Sequence, residues 1–175
     1  MPSSHSIPVV ETERLLLRGH RPEDLDDCAA MWGDRAVTRF IGGKPSRREE
    51  VWWRLLRYAG HWAWNDYGFW AVEEKATGRF LGDVGYADFK RELDPSMGDQ
   101  PEMGWVLATH AHGRGIATEA VQAAAAWADR RFNAKPTFCI IDPRNLPSIR
   151  VAGKVGFREA HRATYLGDDI LVFQR

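Results

Sequence analysis

The stretch His110-Ala-His-Gly-Arg-Gly-Ile-Ala-Thr-Glu119 brings together residue types suited to holding an anion. Gly113 and Gly115 permit close backbone approach and unusual dihedrals. A helix is expected to start just after them. Its first turn would present N–H groups without intrahelical partners, at the positive end of the macrodipole. The chemistry this favours is binding of a phosphorylated ligand. Spacing restricts which one. No Walker loop, G-x-x-x-x-G-K-[ST], occurs in the chain. A dinucleotide fingerprint fails because Thr118 stands where the third glycine belongs. On these residues alone two readings stand, an anion site and a tight strand-to-helix turn with no ligand. His110 and His112 bring in no C-x-x-C or H-x-x-x-H partner set, so no metal is expected.

The elements that must position this loop can be read on both sides of it. Before it, Glu102-Met-Gly-Trp-Val-Leu-Ala108 reads as a central strand. After it, Thr118 to about Phe132 reads as a helix. Ile116, Ala120, Ala123, Ala124 and Trp127 recur at helical spacing, and the alanines place that helix close against a sheet. Upstream, Thr12–Arg18 reads as the first strand, and Pro22 opens a helix burying Leu25, Cys28, Ala29 and Trp32. Asp34 to Ile41 forms a short second helix ended by Gly42-Gly43. Ser46-Arg-Arg-Glu49 is a capping box for a third, with Val51, Trp52, Leu55, Leu56 and Ala59 as its stripe. Phe69–Glu74 and Arg79–Phe89 make a hairpin across Lys-Ala-Thr-Gly78. Lys90 to Gln100 is a polar loop expected to be mobile. Thr137–Ile141, a strand from Gly156 and a final strand Ile170–Gln174 complete the sheet.

Composition bounds the rest. A chain of 175 residues is long enough for one domain with a substantial core. Residues 1–10 are expected to be loosely held, leaving residues 11–175 as the domain. Lys plus Arg, 24, balances Asp plus Glu, 24, so no net field favours nucleic acid or an anionic membrane. No apolar run is long enough to span a bilayer, and no signal peptide is visible. Cys28 and Cys139 lie far apart in apolar patterns and read as buried free thiols in a reducing compartment, the cytoplasm.

Two motifs together carry a family resemblance. His112-Gly-Arg-Gly115-Ile-Ala117 resembles the acyl-CoA signature [Q/R]-x-x-G-x-[G/A] of the GNAT superfamily of N-acetyltransferases, with His112 in place of the usual Gln or Arg. Further on, Asp142-Pro-Arg-Asn145-Leu-Pro-Ser148 leads through a short helix to Gly156-Phe157, which resembles the second hallmark of that family. The Asn-x-x-Ser spelling, with Gly-Trp-Val-Leu before the first loop, is similar to the ribosomal-protein N-acetyltransferase branch. The resemblance runs from about Glu11 to Arg175, nearly the whole chain. It implies an α/β (α+β) fold: a mixed, mostly antiparallel sheet flanked by helices, with acetyl-CoA as co-substrate in a central cleft.

The resemblance also implies roles. The pyrophosphate would rest on the backbone of His112, Gly113, Arg114, Gly115, Ile116, Ala117 and Thr118. The central strand near Val106 and Leu107 would supply the oxyanion donor, and its splaying would admit pantetheine, which Asn145 contacts. Relatives often carry a general-acid tyrosine where this chain has Ala152; Ser148 is the substitute candidate, with helix capping as its competing role. Glu102, two residues before Gly104, is the candidate base, and a solvated strand-end carboxylate is the alternative. Trp62, Trp64 and Tyr67 either pack the core or line the acceptor pocket. The expected activity is direct acetyl transfer to a primary amine, a protein N-terminus or a small amine, by a monomer or homodimer. The alternative is a non-catalytic acyl-CoA-binding module, which Ala152 supports.

Overall fold

In the computed structural model, which describes residues 6–175, eight strands form one sheet in the order β1-β2-β3-β4-β5-β6-β8-β7. The strand predicted over Thr12–Arg18 starts later, at Leu15, and a short strand precedes it outside that range. β1 (Val10–Glu11) and β2 (Leu15–Arg18) pair antiparallel. The Thr12 hydroxyl accepts the Leu15 N–H at 2.9 Å and closes the turn between them. Part of the stretch expected to be loose is held. Ile7 packs against the core, and the Pro8 carbonyl accepts the Trp70 indole N–H at 2.8 Å. Residues 1–5 lie outside the described residues.

A 3₁₀ turn at Pro22–Asp24 leads into α1 (Leu25–Trp32), as Pro22 predicts. α2 (Arg35–Thr38) is capped by Asp34, whose carboxylate accepts the Ala36 N–H. α3 (Arg48–Asn65) starts later than Ser46 predicts. The Ser46 N–H donates instead to the Trp32 carbonyl, and Glu50 reaches back to the Arg47 N–H at 2.7 Å. The helix continues through the aromatic run that looks irregular in sequence.

β3 (Phe69–Glu74), β4 (Phe80–Ala87) and β5 (Glu102–Leu107) form an antiparallel meander. Alternation sends Trp70, Val72, Val84, Tyr86 and Met103 to one face and Phe69, Ala71 and Val106 to the other. α4 (Ile116–Arg131) lies on the first face, where Ala120, Ala124, Ala125 and Ala128 allow close approach. It starts before Thr118, with Gly115 as its cap. On the second face α1 and α3 bury Cys28, Trp32, Val51, Leu55 and Tyr58.

The loop of residues 90–100 has no regular structure, yet it is not the free segment its polarity predicts. Leu93 and Met97 are buried against Phe138, Ile170 and Val172. β6 (Phe138–Ile141), α5 (Leu146–Val155), β7 (Arg158–Tyr165) and β8 (Asp168–Gln174) finish the chain. Only β5 and β6 run parallel.

Candidate active site

β5 and β6 meet at a single register point, Glu102 opposite Phe138, and then part. Backbone direction follows from two bonds. The Ala108 N–H donates to the Leu81 carbonyl of the β4 side at 2.9 Å, so by alternation the Val106 N–H also faces β4. The Phe138 N–H donates to the Pro101 carbonyl at 3.2 Å, so odd-numbered residues of β5 face β6. Where β6 departs, the N–H groups of Trp105 and Leu107 therefore face the gap. Of the pair Val106 and Leu107, it is Leu107 whose N–H turns to the gap, as that of Trp105 does.

The gap opens into a cleft of about 460 Å³. It brings together Glu102, Val106, Asn145 and Ser148, while Leu107 and the loop from His112 to Thr118 lie outside its lining. Glu102 is not a solvated strand end. It is 5 % exposed and accepts two bonds from Arg91, at 2.6 and 3.0 Å. Burial raises its pKa above the usual carboxylate range, and Arg91 opposes that shift only in part. At the mouth of the cleft Asn145 is the N-cap of α5, its side-chain oxygen accepting the Ser148 N–H at 3.2 Å. The capping role weighed for Ser148 thus belongs to Asn145, and the Ser148 hydroxyl is not used by the cap. Ala152 is fully buried in the core.

The signature loop sits beyond the end of β5. Gly113 and Gly115 have φ of 72° and 77°, left-handed values that a side chain would strain. Residues His112 to Gly115 are exposed, whereas Ile116 is buried and its side chain serves the core. His112 Nε2 lies 2.8 Å from the Leu107 carbonyl, which assigns the proton to that nitrogen as donor and pins the loop to β5. Glu119 ties the loop to the first turn of the sheet. It accepts from the Thr12 hydroxyl at 2.5 Å, the Arg14 N–H at 3.0 Å and the Arg14 guanidinium at 2.7 Å. Arg14 also donates to the Arg114 carbonyl at 2.9 Å, and Arg114 pairs with Glu74.

Sequence reasoning missed the other wall. Trp62 and Tyr67 pack in the core and Trp64 is 90 % exposed; none lines the cleft. The aromatic lining includes Trp32, Tyr58, Phe69, Phe89 and Trp105. Behind it Asp83, fully buried, accepts from the Trp32 indole at 3.1 Å and the Tyr58 hydroxyl at 3.3 Å, and pairs with His20 at 2.8 Å. Burial, with the Asp83 charge, raises the Tyr58 hydroxyl pKa well above its ordinary value. His20, Cys28 and Asp83 are the one group among the described residues with metal-ligand atom types close together, within 4.8 Å. The carboxylate is already occupied by its donors. No helix among the described residues is long and apolar enough to cross a membrane.

Comparison with known proteins bears on the fold and the family. The chain is 26% identical to the uncharacterized N-acetyltransferase p20 of Bacillus licheniformis, over 85% of this chain and 81% of that protein. A solved GNAT-family acetyltransferase structure from Bordetella pertussis superposes with a TM-score of 0.84 at 29% identity, covering 96% of this chain and 99% of that one. RimL, a ribosomal L7/L12 α-N-protein acetyltransferase solved with coenzyme A, shares the fold at a TM-score of 0.78 and 14% identity, covering 96% and 97%. Residues 14–158 match the acetyltransferase (GNAT) domain, so the chain belongs to that family and is an acetyltransferase.

Proposed function

We propose that the protein transfers an acetyl group from acetyl-CoA to a primary amine by direct attack within a ternary complex. The observation that carries this reading is the gap beside β5, where the N–H groups of Trp105 and Leu107 lack β6 as a partner, next to a loop of exposed backbone at a helix start. The loop would hold the pyrophosphate through backbone N–H groups at the positive end of α4. Asn145 would offer its amide NH₂ to the pantetheine arm, its oxygen being held by the cap. Trp105 or Leu107 would donate to the carbonyl oxygen as it gains charge.

The attacking amine must lose a proton, because a lysine-like amine has a pKa of about 10.4 in water. Glu102, buried and with a raised pKa, is the base, directly or through water. Ser148, which lines the cleft with its hydroxyl unused by the cap, would protonate the departing thiolate. Both cysteines are buried, and burial pushes their thiols far from ionisation, which supports direct transfer over an acyl-cysteine. The acceptor class is a protein N-terminus or a small amine.

A non-catalytic module would be favoured only by Ala152. Measuring CoA release with a panel of amines and peptide N-termini tests the proposal. A protein that binds acetyl-CoA yet acetylates none of them would overturn it.

A further inference from the structure

We propose that the acceptor carries an oxyanion, a carboxylate or a phosphate, and that Arg54 receives it. The inference rests on the N-acetyltransferase reading for the amine itself. Arg39, Arg54, Arg91 and Arg144 line the cleft. Arg91 grips Glu102 through two bonds, and Arg144 grips Asp142 through bonds of 3.0 and 2.6 Å. Arg54 forms no ion pair with any described residue, and its Nε is buried without a hydrogen-bond partner. Its guanidinium lies over the Trp32 ring, 3.6 Å from Cζ to the centroid, so stacking fixes the plane of the fork.

Trp32 is itself anchored, since its indole N–H donates to buried Asp83. Arg54 is thus a cation held rigid at the cleft wall with unused donors. Leaving a buried donor unpaired is costly, and the half-buried guanidinium has no counter-ion among the described residues to offset it. A bidentate carboxylate or phosphate relieves both.

The rest of the wall points the same way. Arg39, which lies over the Phe40 ring and likewise has no ion pair among the described residues, adds positive charge on the helical side. Asp168 and Asp169 line the opposite rim at the start of β8 and are exposed. Those carboxylates draw a cationic amine toward the cleft, where Glu102 takes its proton, while the acceptor's anionic group meets Arg54. This polarity fits an acceptor with both charges and opposes a polycation, which would confront Arg54 and Arg39.

The test is calorimetric titration of the full-length protein at saturating CoA with glutamate, O-phosphoethanolamine, ethanolamine and spermidine, in parallel with CoA-release assays on the same amines. Glutamate or O-phosphoethanolamine should bind at least about tenfold more tightly than ethanolamine or spermidine. Which of the two leads identifies carboxylate or phosphate. Arg54→Gln should abolish that preference and Arg54→Lys should restore part of it. Arg54→Met keeps an unbranched stem on Trp32 should the Gln variant fail to fold. An anion preference unchanged by these substitutions, or spermidine binding tightest, overturns the proposal. Arg54-dependent anion binding with no amine acetylated keeps the anion site and removes the N-acetyltransferase reading. Acetylation of ethanolamine or spermidine at rates indifferent to Arg54 keeps the transferase and overturns the anion site.

Discussion

The Asn145 side-chain oxygen accepts the backbone N–H of Ser148 at 3.2 Å, so the residue proposed for the pantetheine contact and the residue proposed as general acid are joined by the cap of α5. Asn145→Ala then removes a cap as well as a pantetheine contact. A lost cap costs about 1 kcal/mol, a fall in melting temperature of roughly 2–4 °C at this chain size. Asn145→Asp keeps the capping oxygen and loses the NH₂ donor. It should recover the melting temperature while the Michaelis constant for acetyl-CoA stays raised. Recovery of both in the Asp variant would make Asn145 a cap alone.

Because the cap uses the backbone of Ser148, Ser148→Ala isolates the hydroxyl. Turnover should fall by about 10²-fold, the low end for a general acid, since a thiolate with a pKa near 8.5 leaves tolerably unaided. Acetyl-CoA affinity should barely move. A loss below about threefold with saturating amine would assign the protonation to solvent.

Gly115→Val introduces a β-branched side chain at a φ of 77° where a phosphate would approach. Acetyl-CoA affinity should drop at least tenfold, roughly 1.4 kcal/mol. Gly98→Val is the control, because it carries similar strain at φ 61° in the loop before β5, at the opposite end of that strand from the signature loop. Equal losses of affinity in the two variants would reduce the Gly115 effect to strain.

Glu102 predicts a pH profile. Its raised pKa puts the acid limb of kcat/KM above the ordinary carboxylate range, with activity rising as the group loses its proton. Arg91 is the cation that opposes this shift, so Arg91→Gln should move the limb to higher pH. Glu102→Gln should flatten it. A limb unmoved in both variants would take Glu102 out of the proton path.

Glu119 predicts a stability profile. Burial works against its ionisation, but hydrogen bonds from Thr12 and Arg14, with the Arg14 charge, outweigh burial and lower its pKa. A lowered folded-state pKa contributes stability above the unfolded pKa, about 4.3, and loses it as pH falls through the folded value. The melting-temperature gap between wild type and Glu119→Gln should therefore be full near neutrality and close on acidification. A gap independent of pH would mean that the neutral amide reproduces the clamp.

What was legible in the sequence is what neighbouring residues decide. The glycine loop, the Asn145 helix and the β3–β4 hairpin are local, and they appear where expected. Cap positions were legible only approximately. The Ser46 N–H is taken by the Trp32 carbonyl, a contact no local pattern records. The acceptor wall was not legible at all, because Tyr58 and Arg54 reach the site only when α3 settles on β4 over Asp83. Trp62 and Tyr67 stand out by composition, yet the continued helix turns Trp62 into the core and Tyr67 packs against it just beyond the helix end.

The parting of β5 from β6 leaves this sheet with four edges instead of two. β1 and β7 end it outwardly, while β5 and β6 beyond Glu102 present inner edges with unmatched backbone donors and acceptors. Such an edge is a template for strand addition by another chain. A ligand arm of amide groups lying between the two strands would act as the missing strand. The protein should therefore resist edge-to-edge association best when that arm is in place, so that its substrate doubles as its protection against aggregation.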